Sequence, residues 1–305
     1  MRISLNHLFV LALLITLLAE GVTACCANDP GPTGEGTLNV MVSIAPQKYF
    51  VERIGGHHVS VSVMVEPGAN PATYEPKPEQ LKSLSSAAAY FSIGVPFEDA
   101  WLAKIVAANE KMELVDTIAS IERMPMEAHH HEEEEADLAE GAPDPHVWLS
   151  PELVKVQSRT IYGALIELDP AHGAEYDANL DAFIADIDAL QTAIETTLSG
   201  LEANKFMVFH PAWGYFARDF GLEQIPVEVG GQEPSAQEMA YLIEEAKEEN
   251  IRVVFAQPEF STQDAETIAQ EIDGKVLLIS PLAPDWLENM RTVARTFAGV
   301  LGEEN

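Results

Sequence analysis

From Leu38 onward, short apolar runs alternate with stretches in which apolar residues recur every three or four positions. An unbroken apolar run or a period of two marks a strand, and a period near 3.6 marks a helix. In the first half this predicts strands over Leu38–Ile44, Val59–Val65, Ala88–Ile93 and Glu113–Asp116, with helices over Gln47–Ile54, Pro78–Ser86 and Phe97–Ala108 between them. Ser150 followed by Pro151 opens a further helix, with a cap and a proline in the first turn. From Ala171 to Leu198 the residues Tyr176, Leu180, Phe183, Ile184, Ile187, Leu190, Ile194 and Leu198 share one face of a long helix. At about 1.5 Å per residue that helix reaches roughly 40 Å, the width of a whole molecule.

After it the alternation restarts. Strands are predicted over Asn204–Phe209, Gln224–Val229, Ile251–Ala256 and Lys275–Ile279. Helices fall over Trp213–Phe220, from the Ser235–Glu238 capping box to Glu249, over Thr262–Ile272 and over Asp285–Leu301. The fold class is therefore α/β: two lobes, each with a mostly parallel sheet flanked by helices, joined by a long rigid connecting helix. The expected bounds are 38–168 for the first lobe, 169–200 for the connector and 201–305 for the second lobe.

The first residues carry a different pattern. Arg2 and His7 precede the apolar run Leu8–Leu18, and Val22-Thr23-Ala24-Cys25 follows. This predicts a signal peptide over residues 1–24, ending in small residues before a cysteine. The apolar run is too short to stay in a bilayer as a spanning helix, which needs about 20 residues. The tetrapeptide resembles a lipoprotein signal in which Cys25 is lipidated, so residues 25–37 are expected to be a flexible tether and the protein extracytoplasmic and anchored to the membrane. A simply cleaved leader with an incidental Cys25 is the alternative. Cys25 and Cys26 are the only cysteines, so the body has no disulfide, no thiolate ligand and no cysteine nucleophile.

The net charge of −32, from 49 acidic and 17 basic residues, repels phosphate backbones and argues against a nucleic-acid partner. Otherwise it describes an acidic, solvated surface. No heptad or exposed apolar stripe calls for a dimer, and a monomer is expected.

Two histidines have near-matching surroundings, His146 in Asp144-Pro145-His146-Val147-Trp148 and His210 in Phe209-His210-Pro211-Ala212-Trp213. A proline-stiffened backbone with an aromatic neighbour suits an imidazole held for a ligand. Ligands in open α/β sheets bind at the carboxyl ends of strands, where the loop Glu66–Pro78, His210 and Ser280 are all expected. Two imidazoles from different halves meeting in a cleft, with oxygen ligands, would suit zinc. The alternative role for each is to cap a turn. The loop 117–143 contains His129, His130 and His131 followed by four glutamates; it either collects metal loosely or is a solvated insertion.

With these residues in view, the chain resembles the solute-binding lipoproteins of zinc and manganese ABC importers. The resemblance spans nearly all of Leu38–Leu301. It rests on Pro67-Gly68-Ala69-Asn70-Pro71-Ala72-Thr73-Tyr74-Glu75-Pro76, Asp144-Pro145-His146-Val147-Trp148-Leu149-Ser150-Pro151, Phe209-His210-Pro211-Ala212-Trp213-Gly214-Tyr215-Phe216 and Pro281-Leu282-Ala283-Pro284-Asp285. It implies metal ligation by His146 and His210, capture of zinc with manganese as runner-up, delivery to an ABC permease and its ATPase, and no enzymatic activity.

Three positions depart from the family pattern, which has histidine at Ala72, aspartate at Ser280 and glutamate at Gln257. Candidate replacements are Glu75, Glu259, Ser280 itself, the His129–His131 loop, and water. The alternatives are a surface or adhesin-like lipoprotein with a degenerate site, and a zinc-dependent extracellular hydrolase. No His-Glu-x-x-His motif supports the latter.

Overall fold

The computed structural model describes residues 36–126, 142–201, 203–228, 231–260 and 262–302. Cys25 and His129–His131 lie outside these residues. The first sheet holds β1 (Leu38–Val42), β2 (Val59–Val63), β3 (Ala89–Ser92) and β4 (Glu113–Asp116) in the order β2-β1-β3-β4, all parallel. The second holds β5 (Lys205–Val208), β6 (Glu223–Pro226), β7 (Val253–Ala256) and β8 (Lys275–Leu278) in the order β6-β5-β7-β8, again all parallel. Each chain path goes to one side of its first strand and then crosses to the other. That reversal opens a crevice at the carboxyl ends, between β1 and β3 and between β5 and β7.

Helices α1 (Ala45–Gly55), α2 (Pro78–Leu84) and α3 (Pro96–Ala108) link the first set of strands, and α6 (Gly214–Phe220), α7 (Ala236–Glu248) and α8 (Gln263–Glu271) link the second. Local chemistry sets several of their starts. The Gln47 side-chain oxygen accepts the Ser43 and Ile44 N–H groups at 3.0 and 3.3 Å, closing the first turn of α1. The capping box at α7 is formed, with Glu238 N–H to Ser235 Oγ at 3.3 Å and Ser235 N–H to Glu238 Oε2 at 2.7 Å.

Between the sheets run α4 (Pro151–Leu168) and α5 (Gly173–Leu198), the latter 26 residues long after a 3₁₀ turn over Pro170–His172. The predicted face of α5 is buried at Tyr176, Leu180, Phe183, Ile187, Leu190, Ile194 and Leu198, while Ile184 is only partly covered. It packs on α1, α4 and the last helix, α9 (Trp286–Leu301).

Strand alternation sorts the second sheet's side chains. Phe206, Val208, Val253 and Phe255 face one core that continues through the first sheet, whereas Met207, Phe209, Val254 and Ala256 face a smaller core under α7 and α8. On the shared side, the Phe297 ring of α9 lies 4.5 Å from Phe206 and 4.8 Å from Phe255. At the other end of α9, Trp286 meets Phe50 of α1 edge-on at 5.3 Å. One apolar core thus joins the two lobes behind the cleft. No helix among the described residues is long and apolar enough to cross a membrane.

Candidate metal centre

The carboxyl end of β5 delivers His210, and the loop before α4 delivers His146. Their Nε2 atoms face each other at 3.3 Å. Tetrahedral zinc with Zn–N bonds of about 2.0–2.1 Å places two imidazole nitrogens roughly 3.3 Å apart, so this spacing is that of an ion's ligand pair.

The far nitrogens explain which way the near ones point. His146 Nδ1 is 2.7 Å from Asp144 Oδ1, and the same oxygen accepts the His146 backbone N–H at 2.9 Å. His210 Nδ1 is 3.3 Å from Glu228 Oε2. A carboxylate accepts a proton from Nδ1, leaving the lone pair on Nε2; this pairing fixes tautomer and ring orientation at metal sites. Two such lone pairs aimed at each other repel unless a cation stands between them. Asp144 and Glu228 are themselves buried, 2 % and 5 % exposed, so their charge acts through little water. Burial pushes the His210 imidazole below its ordinary pKa, with the neighbouring His146 adding to that and Glu228 opposing it. A neutral ring is the form that binds metal.

Rigid neighbours hold both rings. Phe260 stacks on His210 at 4.5 Å and 20°. Gln257, fully buried at the end of β7, donates its amide N–H to the His210 carbonyl at 2.7 Å and accepts the His210 N–H at 3.3 Å. On the other side the Trp148 indole donates to Pro281 O at 2.8 Å, while Trp148 O accepts the Trp286 indole N–H at 2.7 Å. Tyr215 donates to Asp144 O at 3.2 Å, and Ser150, the cap of α4, bonds Asp219. The His146 loop is therefore stitched to the second lobe.

Both imidazoles line a cavity of about 60 Å³, together with Asn70, Pro71, Ala72, Glu259 and Phe260 among others. At roughly 30 Å³ per water, it has room for an ion and a solvent ligand. Glu259 Oε1 accepts the Ser280 hydroxyl at 3.0 Å, and its other oxygen, Oε2, is buried without a hydrogen-bond partner. Burial raises the Glu259 carboxyl above its ordinary pKa, with a backbone bond and Ser280 working against this. A buried carboxylate oxygen without a partner costs about 1–3 kcal/mol, which a cation would offset.

The sequence candidates thus separate. His146, His210 and Glu259 line one cavity, but no Glu259 oxygen lies within 4.8 Å of both imidazole nitrogens. Ser280 does not line it: its hydroxyl is spent on Glu259 and on the Leu282 N–H at 3.2 Å. Glu75 is exposed and outside the lining, whereas Ala72, itself exposed, still borders the cavity at the 71–73 turn. Gln257 serves the His210 backbone, and Asp144 and Glu228 serve the rings. Asp144 sits two residues before His146, a spacing that could have flagged it; Glu228, 18 residues beyond His210, gave no such signal.

Comparison with known proteins follows the same line. A family model described as "ZnuA: Zinc-uptake complex component A periplasmic" matches residues 40–300. Among curated proteins, the chain is 29 % identical over 283 residues to the high-affinity zinc uptake system protein ZnuA of Bacillus subtilis (strain 168), covering 91 % of this chain and 88 % of that one. Among solved structures, a zinc-bound 138–173 deletion mutant of ZnuA superposes with a TM-score of 0.82 at 47 % identity, over 88 % of this chain and all of that one. A second ZnuA crystal structure gives 0.81 at 48 % identity, over 87 % of this chain and 99 % of that one.

Proposed function

The chain belongs to the ZnuA family of zinc-uptake components, and we propose that His146 and His210 form the core of its capture site, with Glu259, which lines the same cavity, moving in as third ligand when the ion binds and a solvent molecule as fourth. The observation that carries the reading is the pair of Nε2 atoms at 3.3 Å, each ring backed by a buried carboxylate. Two imidazole nitrogens and one carboxylate oxygen suit zinc; manganese favours a larger, oxygen-rich sphere.

Asp144 and Glu228 keep the rings in the binding tautomer, Gln257 and Phe260 hold His210 in place, and Ser280 orients Glu259. The family is one of zinc uptake. The captured ion is passed to the permease of an ABC importer, driven by its ATPase. A lipid on Cys25 holds the chain at the outer face of the membrane, with residues 25–37 as a tether between the anchor and the lobes 38–168 and 201–305.

Zinc content and affinity of the compact unit Thr37–Asn305 test this against the His146→Ala/His210→Ala variant. The wild type is expected to hold one more equivalent than the variant. Equal zinc in both would end the proposal.

A further inference from the structure

The described residues contain five histidines, and the three outside the cleft converge on one spot. His57 and His58 close a 3₁₀ turn directly before β2, and His172 precedes the first turn of α5. The His58 ring stacks on His172 at 3.6 Å and 21°, and the His57 ring lies 3.9 Å from His58. Glu175, in the first turn of α5, brings its Oε2 to 2.9 Å from His58 Nε2. Ligand atoms of His57, His58 and Glu175 all lie within 4.8 Å of one another.

We propose that His57, His58 and Glu175 form a second, solvent-open site for a divalent transition-metal ion, with His172 stacked behind His58 as its support. Two imidazole nitrogens and one carboxylate oxygen make a donor set suited to zinc, copper or nickel rather than to calcium or magnesium, which take oxygen. The support is built as at metal sites. Asp169 Oδ2 is 2.7 Å from His172 Nδ1 and accepts the Tyr176 hydroxyl at 2.7 Å, fixing the ring on which His58 rests. His57 and Glu175 are exposed and His58 partly so, leaving a coordination position to water and the ion free to exchange. The strongly acidic surface raises the local concentration of cations around it.

This site lies apart from the cleft. His58 precedes the first residue of β2 and the Ala72 loop follows its last; five strand residues at about 3.3 Å each separate them by roughly 17 Å. It also bridges different elements. An ion here ties the α1–β2 junction to the start of the connecting helix, where Asn179 Nδ2 already donates to Ile54 O at 3.0 Å. The consequence is a protein that carries a second, weaker-held ion and is stiffened by it.

The test uses the full chain with His146, His210 and His129–His131 all changed to alanine, so neither the cleft nor the histidine loop contributes. Zinc binding is read by competition with a chromophoric chelator. One equivalent is expected to remain, and adding His57→Ala/His58→Ala should weaken it by about tenfold or more, the scale of losing a ligand. Glu175→Gln, which removes only an exposed carboxylate, should weaken it in the same direction with the melting temperature of the metal-free protein unchanged. In the same background, Cu²⁺ should give an electron paramagnetic resonance spectrum split by two imidazole nitrogens. Absence of a stoichiometric ion, or an ion indifferent to all three substitutions, overturns the proposal and leaves the cleft reading untouched.

Discussion

Ser280 donates its hydroxyl proton to Glu259 Oε1 at 3.0 Å, so the serine steadies a carboxylate on the neighbouring strand's loop. The other oxygen of Glu259, Oε2, is buried without a hydrogen-bond partner, and under the proposed site it is the charge that stands in for the aspartate of the family pattern at position 280. Glu259→Gln is expected to lower zinc affinity by about 100-fold or more, as for loss of a ligand, and Ser280→Ala by about 10- to 100-fold, as for loss of its orienting partner. Titration of both variants by competition reads this, and a Ser280→Ala loss larger than that of Glu259→Gln would reverse their roles.

Ala72 lines the cavity but brings no donor atom. Ala72→His adds a third imidazole at the position where the family pattern has one. Affinity is expected to rise by about tenfold or more, equivalent to roughly 1.4 kcal/mol. An unchanged affinity would mean the 71–73 turn does not aim that side chain at the ion.

Asp144→Asn and Glu228→Gln preserve size but remove the carboxylate behind each ring. Both are expected to cost about 10- to 100-fold in zinc affinity. Nitrogen-15 spectra of the imidazoles should show the Nδ1–H tautomer in the wild type and a mixture in the variants.

The acid dependence of binding follows from two opposed shifts. His210 is held below its ordinary value by burial, so it stays neutral as pH falls past about 6.5 and does not give up the ion there. Glu259 is held above its ordinary value by burial, so a proton competes with the ion at pH values above about 4.3. Without metal, a carboxyl with a raised folded pKa stabilises fully below the unfolded value, and that contribution is lost as pH rises through the folded one. The metal-free chain should therefore lose this increment with rising pH, while zinc affinity climbs over the same interval. Glu259→Gln should flatten both curves; superimposable wild-type and variant curves would remove Glu259 from the site.

Gln257→Glu tests the backbone clamp on His210. Glutamate cannot donate to the His210 carbonyl, and at this fully buried position it brings an unpaired charge. The His210 carbonyl keeps its bond from the Ala212 N–H at 2.7 Å, so a loss of about 0.5–1.5 kcal/mol in stability is expected from the missing amide bond alone, read by denaturant unfolding of the metal-free protein. Wild-type stability in the variant would show that the amide bonds are dispensable.

The sequence pattern reveals what depends on local periodicity. The eight strands, the long helix face from Tyr176 to Leu198 and the caps at Ser150 and Ser235 all follow from residues within a few positions of one another. His146 and His210 stood out because proline and tryptophan flank both. Hidden from the sequence were pairings made by tertiary folding. Glu228 meets His210 only because β6 lies beside β5, and Ser280 meets Glu259 only because β8 lies beside β7. His58 and Glu175 are 117 positions apart, and the adjacent pair His57-His58 before a strand was the sole hint. Glu75 looked as eligible as Glu259, since the direction of a loop side chain depends on a turn that composition does not encode.

The two indoles at the back of the cleft bear on how long an ion stays. Trp148 and Trp286 are almost fully buried, and their bonds to Pro281 O and Trp148 O must both break before the His146 loop swings away from His210. Two buried bonds at about 1.5 kcal/mol each add roughly 3 kcal/mol to escape, about a hundredfold in dwell time. The two indole bonds therefore act as a latch that holds the His146 loop against the second lobe.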